Sequence, residues 1–278
     1  MKLSDSRIGI ALGAGAARGW AHIGVLRALE EADIHPHVVC GTSIGALVGA
    51  AYADDRLEEL EKWVTTLTWK KVIGFFDIGF AGGLLKGGRV TSFVRQHFAD
   101  KDISVLTRPF GTVATDLQSG RELWLRAGPI TEAVRASIAM PGLFPPWPHE
   151  GRLLVDGALV NPVPVSLCRA LGADFVIAVD LSSSLVGPAV ANVTAEKEAA
   201  YTPGMAEIVM ASLNIMSTRI TRSRLAGEPA DVVIMPRLGQ FGLLDYHHSV
   251  QAISEGRDAT AILTPQIHRL LNYERKNP

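Results

Sequence analysis

The chain has 278 residues, an apolar fraction of 47% and a formal net charge of −1. This length and apolar content are enough to bury a substantial core, and we expect one domain over residues 1–278. The near-neutral charge and the lack of a lysine- or arginine-rich run argue against a phosphate-tracking groove, so we expect no nucleic-acid partner. No uncharged apolar run reaches the roughly 18 to 20 residues of a membrane-spanning helix, which excludes an integral membrane protein.

The amino-terminal stretch over residues 1–21 has some features of a secretory signal. However, Asp5 interrupts the basic start, and the glycines that follow fit a loop better than a cleavage site. We therefore interpret the stretch as part of the fold and expect a cytoplasmic protein. Cys40 and Cys168 lie in apolar surroundings without metal-ligand spacing, which predicts buried thiols and no zinc site. No calcium-binding loop is present either, so we expect no metal and no organic cofactor.

Five short apolar runs are typical of buried strands, and they occupy residues 8–12, 37–40, 110–115, 175–179 and 232–235. Helix-length segments separate most of them. Strands that alternate with helices, and that are apolar on both faces, predict an α/β fold with a mostly parallel central sheet covered on each side. Active sites in such folds lie at the carboxyl ends of the strands.

Helical patterns follow at about residues 18–33, from Met205 to Leu225, and from Asp245, as a cap, to Leu271. The arginines near the end of the second of these helices fit either compensation of the helix dipole or contact with anionic headgroups. They are Arg219, Arg222 and Arg224. Residues 182–204 read as a surface excursion. Residues 72–85 mix aromatics with glycines and read either as a mobile apolar lid or as an ordinary buried loop.

A nucleophile-elbow pattern, G-x-S-x-G, occurs at Gly41-Thr42-Ser43-Ile44-Gly45. In such an elbow a serine lies on a tight turn between a strand and a helix, where flanking glycines let the backbone bend and leave Oγ accessible. An apolar strand precedes this segment and a helix of small residues follows it. Ser43 is therefore our candidate nucleophile, supported by Gly41 and Gly45; a simple packing turn is the alternative.

A glycine-rich loop lies ahead of the elbow, at Gly13-Ala14-Gly15. Its backbone N–H groups, just before a helix, form a plausible anion site, and in an esterase they would be the oxyanion hole. A dinucleotide fingerprint is disfavoured because Arg18 stands where the third glycine belongs. Arg18 either braces the loop, offers charge near the site, or is a plain surface residue.

Asp156 ends an apolar run and precedes Gly157-Ala158. A strand there would deliver a carboxylate to a glycine turn. From the residues alone, a common Asp-Gly hairpin turn is the favoured interpretation of this pattern.

Taken together, four motifs occur in the order found in patatin-like phospholipases. They are the glycine loop through Arg18-Gly19, the elbow, the segment from Ala136 to Pro146, and Asp156-Gly157-Ala158. The chain resembles the bacterial RssA-type subgroup of that family most closely, with a strong likeness over about residues 8–180. A looser likeness extends over the carboxyl-terminal strand and helices, about residues 205–272.

The resemblance implies a three-layer α/β/α fold and a Ser-Asp dyad, with Ser43 as nucleophile and Asp156 as base. Gly13, Ala14 and Gly15 would supply the oxyanion hole, and Gly157 would support the base. It also implies a lipid substrate, most plausibly a phospholipid or lysophospholipid, and leaves peripheral membrane contact open. Many relatives carry three glycines where this chain has Ala14, so the hole requires a negative φ at that residue.

An ordinary aspartate is a poor base for serine, and a partly desolvated pocket would have to raise its pKa. The apolar neighbours Val155, Leu143 and Phe144 could form that pocket, although plain core packing explains them too.

Two other functions remain open. Ser43, Asp156 and His247 or His248 follow the Ser-Asp-His order of α/β-hydrolases, but those enzymes place several strands before the elbow and only one strand-helix unit fits here. A non-catalytic scaffold on the same fold is also consistent with the sequence, although the presence of both Ser43 and Asp156 favours activity.

Overall fold

The structure, a computed structural model, describes residues 6–75, 101–182 and 204–276. Eight strands of these ranges form one sheet. They are β1 (Ile8–Leu12), β2 (Val38–Thr42), β3 (Phe110–Asp116), β4 (Glu122–Leu125), β5 (Trp147–His149), β6 (Arg152–Asp156), β7 (Phe175–Val179) and β8 (Val232–Ile234).

The strand order is β5-β6-β3-β2-β1-β7-β8, and β4 pairs with β3 beside this path. The five central strands, which lie in the order β3-β2-β1-β7-β8, all pair in parallel. The five strands predicted from apolar runs are confirmed, and all five belong to this parallel run. β4, β5 and β6 pair antiparallel at one end of the sheet, and β4 and β5 are strands that the sequence did not reveal.

Eight α-helices lie within the described ranges. They are α1 (Ala21–Glu31), α2 (Ile44–Ala53), α3 (Leu57–Val64), α4 (Trp69–Phe75), α5 (Ile130–Ser137), α6 (Val165–Ala170), α7 (Met205–Gly227) and α8 (Ser249–Lys276). The long helices predicted near residues 205–225 and up to 271 are confirmed as α7 and α8. The predicted helix at 18–33 is divided into a 3-10 turn at Ala16–Trp20 and α1.

The central strands are covered on both faces because their side chains alternate between two apolar clusters. In β1, Ile10 and Leu12 pack in the larger cluster with side chains of α1 and α2. Ala11 points the other way, into a smaller cluster with Cys40 and the α6 residue Cys168. The result is a three-layer α/β/α architecture with a mostly parallel centre. Both cysteines are free and buried, as predicted.

Some local predictions need correction or fall outside these ranges. Asp245 does not cap α8, because a 3-10 turn at Tyr246–His248 intervenes and the Asp245 carboxylate accepts from the N–H of Gly242 at 2.7 Å. Of the 72–85 segment, residues 76–85 lie outside the described residues, and so do residues 183–203 of the proposed excursion. Within the described ranges, no helix is long and apolar enough to cross a bilayer.

Candidate active site

Ser43 occupies the turn between β2 and α2, with φ 58° and ψ −124°. A non-glycine residue in such a conformation costs about 1 to 3 kcal/mol, and strain of this kind is typical of functional sites. The turn brings the serine to the carboxyl end of a central parallel strand, where ligands bind in open α/β sheets.

The glycines on either side of Ser43 are required by close backbone contacts. A Cβ atom on Gly41 would lie 2.2 Å from the carbonyl oxygen of Gly45, and one on Gly45 would lie 2.2 Å from that of Leu12. No real side chain tolerates such distances. The two glycines therefore let α2 begin directly against the end of β1.

Asp156 ends β6 and faces the serine. Its Oδ2 accepts a hydrogen bond from Ser43 Oγ at 2.6 Å, and its Oδ1 accepts from the backbone N–H of Ala158 at 2.8 Å. The residue is only 1% exposed. Burial raises the pKa of Asp156 to about 6, against the opposing effect of the hydrogen bonds from Ser43 and Ala158. The carboxylate is thus a stronger base than an ordinary aspartate, and it is still ionised at neutral pH.

The hairpin reading of Asp156-Gly157 is wrong. The tight connection between β5 and β6 lies at Glu150 and Gly151, both with positive φ, whereas Asp156 leads into a 3-10 turn at Gly157–Leu159. A Cβ on Gly157 would lie 2.3 Å from the carbonyl oxygen of Val113, so this glycine allows the turn to pack against β3.

Further hydrogen bonds hold the two reacting side chains in place. The N–H of Ser43 donates to Ser137 Oγ at 2.9 Å, at the end of α5. Thr42 Oγ1 donates to the carbonyl oxygen of Asn161 at 2.9 Å, and Thr115 Oγ1 donates to that of Asp156 at 2.8 Å. The sequence did not predict these contacts. Ser137 lies inside the motif from Ala136 to Pro146, but nothing in that pattern indicates its hydrogen-bond partner.

The glycine loop differs from expectation in the groups that it offers. The N–H of Gly13 donates to Val179 O at 3.0 Å, and that of Ala14 donates to Pro162 O at 2.9 Å. Both donors are therefore already used, and the expectation that the amides of residues 13–15 all face an oxyanion needs correction. The N–H groups of Gly15 and Ala16 have no hydrogen-bond acceptor among the described residues.

The orientation of this loop is fixed by further hydrogen bonds. His22 Nε2 lies 2.7 Å from the carbonyl oxygen of Gly13, so the peptide between Gly13 and Ala14 is held at both its oxygen and its nitrogen. The carbonyl oxygen of Gly15 accepts from the N–H of Arg18 at 3.2 Å. In a planar trans peptide the C=O and N–H groups point in opposite directions, so this bond to Gly15 O also fixes the direction of the Ala16 N–H. Ala14 is not among the residues with positive φ, whereas Ala16 has φ 51°.

His22 is fully buried, and desolvation lowers its pKa to about 4, although the hydrogen bond to Gly13 acts in the opposite direction and raises it. The ring is therefore neutral at pH 7. Since its Nε2 faces a carbonyl oxygen, the proton lies on that nitrogen. Nδ1 is left without a partner among the described residues. The sequence analysis did not single out this histidine.

Arg18 is buried and braces the loop rather than lying on the surface. Its Nε donates to the carbonyl oxygen of Phe241 at 3.0 Å, and the N–H of Ala17 donates to that of Leu243 at 3.1 Å. Burial lowers the pKa of Arg18, and the charge of Asp245 opposes that shift. The segment before α8 thus supports the loop from outside.

Two pockets meet at these residues. The first, which we call the Ser43 pocket, has an empty volume of about 700 Å³, part of it open to solvent. Its apolar walls include Leu47, Trp63, Leu67, Val72, Leu143 and Phe144. The second, which we call the Asp156 pocket, has about 570 Å³ and is lined by Gly15 together with α7 residues. Ala16 and Met140 line both pockets, so they lie at the boundary between them.

No cluster of three or more metal-ligating side chains occurs within the described residues. The acidic group of the site is instead engaged by a hydroxyl and a backbone N–H. This arrangement is suited to attack by an activated serine on a carbonyl carbon, beside backbone donors that can receive the negative charge.

Comparison with known proteins decides the family. The family model of patatin-like phospholipases matches residues 10–169, which include the glycine loop, the elbow and Asp156. The chain belongs to the patatin-like phospholipase family. It is accordingly a lipid acyl hydrolase.

Several relatives of this patatin-like phospholipase are similar over much of its length. An uncharacterised NTE family protein of Mycobacterium tuberculosis is 32% identical, with 91% of this chain and 90% of that protein covered. Human patatin-like phospholipase domain-containing protein 6 is 35% identical over 65% of this chain, which corresponds to 14% of the human protein. Among solved structures, VipD from Legionella pneumophila matches with a TM-score of 0.48 and 13% identity, covering 94% of this chain and 67% of VipD.

Proposed function

We propose that the chain hydrolyses carboxylic esters of lipids, namely phospholipids or lysophospholipids, through a Ser43-Asp156 dyad and an acyl-enzyme. The observation that carries this proposal is the direct 2.6 Å hydrogen bond from Ser43 Oγ to Asp156 Oδ2, where Ser43 lines an apolar pocket. Because burial raises the pKa of Asp156 to about 6, the carboxylate can take the serine proton without a histidine.

In the first half of the reaction, Ser43 Oγ attacks the ester carbonyl carbon while its proton passes to Asp156. The bond from that carbon to the leaving oxygen then breaks, and Asp156 returns the proton to the departing alcohol or lysolipid. In the second half, Asp156 takes a proton from water as the water oxygen attacks the acyl-enzyme. Release of the carboxylic acid returns the proton to Ser43.

Negative charge develops on the carbonyl oxygen at each attack, and we assign its stabilisation to the N–H groups of Gly15 and Ala16. Both lack an acceptor among the described residues, and Ala16 lines the Ser43 pocket. Gly13 and Ala14 hold the loop rather than contact the substrate. Loss of one such donor typically costs a hundred- to a thousandfold in rate, so the loop matters as much as the serine.

The two pockets suggest how a lipid would lie across the dyad. The Ser43 pocket has the apolar walls that an acyl chain requires, and Leu143 and Phe144 belong to it. The Asp156 pocket adds Asn214 and Ser217 to its apolar residues and is suited to the leaving group. We propose one cytoplasmic domain that works without metal or organic cofactor and contacts the membrane peripherally.

The alternatives have less support. Among the described residues, no imidazole nitrogen bonds to Asp156, whose Oδ2 is taken directly by the serine. The rings of His247 and His248 instead pack against each other, with centroids 4.1 Å apart and a tilt of 43° between their planes. A scaffold role does not explain why a strained serine and a buried carboxylate are kept in contact.

Hydrolysis of a p-nitrophenyl ester series and of lysophospholipid tests the proposal. Wild type is compared with Ser43→Ala, Asp156→Asn and a His247→Ala/His248→Ala double variant. We expect the first two to lose activity while remaining folded, and the double variant to keep it. A folded but inactive histidine variant would favour a triad, and an inactive wild type on every ester and lysolipid would favour the scaffold.

A further inference from the structure

One face of α7 exposes an unusual number of apolar side chains. They are Met205, Ile208, Val209, Ile215 and Met216, with exposed fractions that reach 76% at Met205 and 62% at Ile215. Their spacing by three, four and seven residues places them on one side of the helix. The stripe extends for about 16 Å at 1.5 Å per residue. Contiguous exposed apolar surface of this kind marks an interaction site.

The opposite face of the same helix lines the site. Met210, Leu213, Asn214 and Ser217 form part of the Asp156 pocket, alongside Gly15 and Asp156. α7 is therefore the wall between the candidate leaving-group pocket and the outside of the protein. Whatever contacts its outer face lies one helix diameter, about 10 Å, from that pocket.

The outer face becomes cationic after its apolar part. Arg219 and Arg222 are exposed on the same side as the apolar stripe, and neither forms an ion pair with another described residue. Arg224, by contrast, turns inward to Glu122 at 2.8 Å and also reaches Glu228. Two free arginines beside an apolar stripe complement an anionic headgroup layer over an apolar interior.

We propose that the outer face of α7 docks on an anionic lipid bilayer, with its apolar stripe among the acyl chains and Arg219 and Arg222 at the headgroups. This inference rests on the proposed function, because it presents the Asp156 pocket to the surface from which a lipid substrate comes. A second copy of the chain fits this face less well. In a two-fold contact the same arginines of both copies would enter one interface without an anionic partner on that face.

Flotation with vesicles of phosphatidylcholine, alone or mixed with phosphatidylglycerol, tests this docking. The apolar variant is Ile208→Gln/Ile215→Gln, and the charge variant is Arg219→Gln/Arg222→Gln. We expect wild type to bind the mixed vesicles, more weakly as salt rises. Each arginine contributes about fivefold in affinity, so the charge variant loses about 25-fold. The apolar variant loses at least about tenfold on both vesicle types, since it removes buried aliphatic area.

Matched controls lie elsewhere on the surface. Ile262→Gln removes an isoleucine from α8 that is 74% exposed, and Arg237→Gln removes an exposed arginine outside α7. Both should bind vesicles like wild type. Turnover of a short soluble p-nitrophenyl ester should be unchanged in all four variants, since none of these residues contacts the dyad.

The outcomes separate this inference from the proposed function. If Ser43→Ala binds vesicles like wild type, docking does not depend on catalysis; if wild type hydrolyses no ester but still docks through α7, only the proposed function fails. The docking proposal is overturned if wild type does not float, or if the α7 variants float as wild type does. It is also overturned if light scattering shows a dimer that the apolar variant dissociates while vesicle binding is unchanged.

Discussion

The backbone N–H of Ser43 donates a 2.9 Å hydrogen bond to the buried hydroxyl of Ser137. The bond joins the strained turn after β2 to the last residue of α5. Because both atoms are buried, the N–H has no water to replace this acceptor. Ser137 therefore holds the nucleophile in its positive-φ conformation.

We predict that Ser137→Ala lowers kcat for a soluble ester by about tenfold and changes KM little, since an unsatisfied buried N–H costs about 1 to 3 kcal/mol. Steady-state kinetics on protein with a native circular dichroism spectrum measures the effect.

The same helix offers a matched control. Thr131 is 1% exposed, and its hydroxyl has no partner among the described residues. Thr131→Val should leave kcat unchanged. Equal losses in Thr131→Val and Ser137→Ala would mean that α5 tolerates no change, and the role of Ser137 would then have no support.

The pH dependence of hydrolysis should follow Asp156. Its carboxylate must be ionised to accept the serine proton, and burial raises its pKa to about 6. We therefore expect kcat/KM to rise with pH through about 6 and then to level off. A profile that stays flat between pH 5 and pH 8 would contradict Asp156 as the base.

The same raised pKa predicts a stability effect. Between the ordinary value of 3.8 and about 6, the folded protein binds a proton more tightly than the unfolded chain does, so this group destabilises the fold as the pH rises through that window. The full effect, present above pH 6, is about 3 kcal/mol.

Asp156→Asn should therefore be more stable than wild type at pH 8 by up to about 3 kcal/mol, and this difference should disappear near pH 4. Urea unfolding at the two pH values measures it. A variant less stable than wild type at pH 8 would show that lost hydrogen bonds outweigh the removed charge.

His22 should act on catalysis through the glycine loop. Its Nε2–H holds the carbonyl oxygen of Gly13, so a side chain without a donor leaves that oxygen unpaired. We predict that His22→Leu lowers kcat about 10- to 100-fold, less than loss of a donor itself, and that it weakens a trifluoromethyl ketone inhibitor in parallel. KM should change little.

His22→Gln is the conservative comparison, because its amide can still donate to Gly13 O, and it should keep most of the activity. A purely structural role for His22 predicts instead that both variants lose stability without a selective loss of kcat or of inhibitor affinity.

Gly45 should be irreplaceable for the fold. Its Cβ would lie 2.2 Å from Leu12 O, a backbone atom that cannot move without displacing β1. Gly45→Ala should cost about 3 kcal/mol or more, measured by chemical unfolding. Gly49→Ala in the same helix is the control. Its Cβ would come no nearer than 3.2 Å, to a side-chain atom of Val39. We therefore expect Gly49→Ala to change the free energy of unfolding little.

Much of the fold could be predicted from sequence because the parallel strands are buried on both faces and read as apolar runs. β4 and β5 could not. β4 has one buried residue in Leu125, and β5 is only three residues long and includes Pro148, so neither has a strand-like pattern. Pairing with a neighbouring strand, rather than propensity, makes them strands.

The site was predictable where a residue type is itself informative, as for a serine between two glycines. It was not predictable where function depends on which partner a backbone group finds. Gly13 and Ala14 looked like donors until Val179 O and Pro162 O proved to occupy their N–H groups. Ser137 contacts the nucleophile from 94 residues away in sequence, and His22 contacts the glycine loop from 9 residues away. No sequence pattern predicts either contact.

The segment that follows Asp156 touches every part of the reacting centre. Asn161 O receives the hydroxyl of Thr42, next to the nucleophile, and Pro162 O receives the N–H of Ala14 in the glycine loop. The base, the strand before the nucleophile and the glycine loop are thus all held by one short stretch of chain. A small molecule that wedged this stretch away from β2 would misalign all three at once, which makes it a target for inhibitors that never react with Ser43.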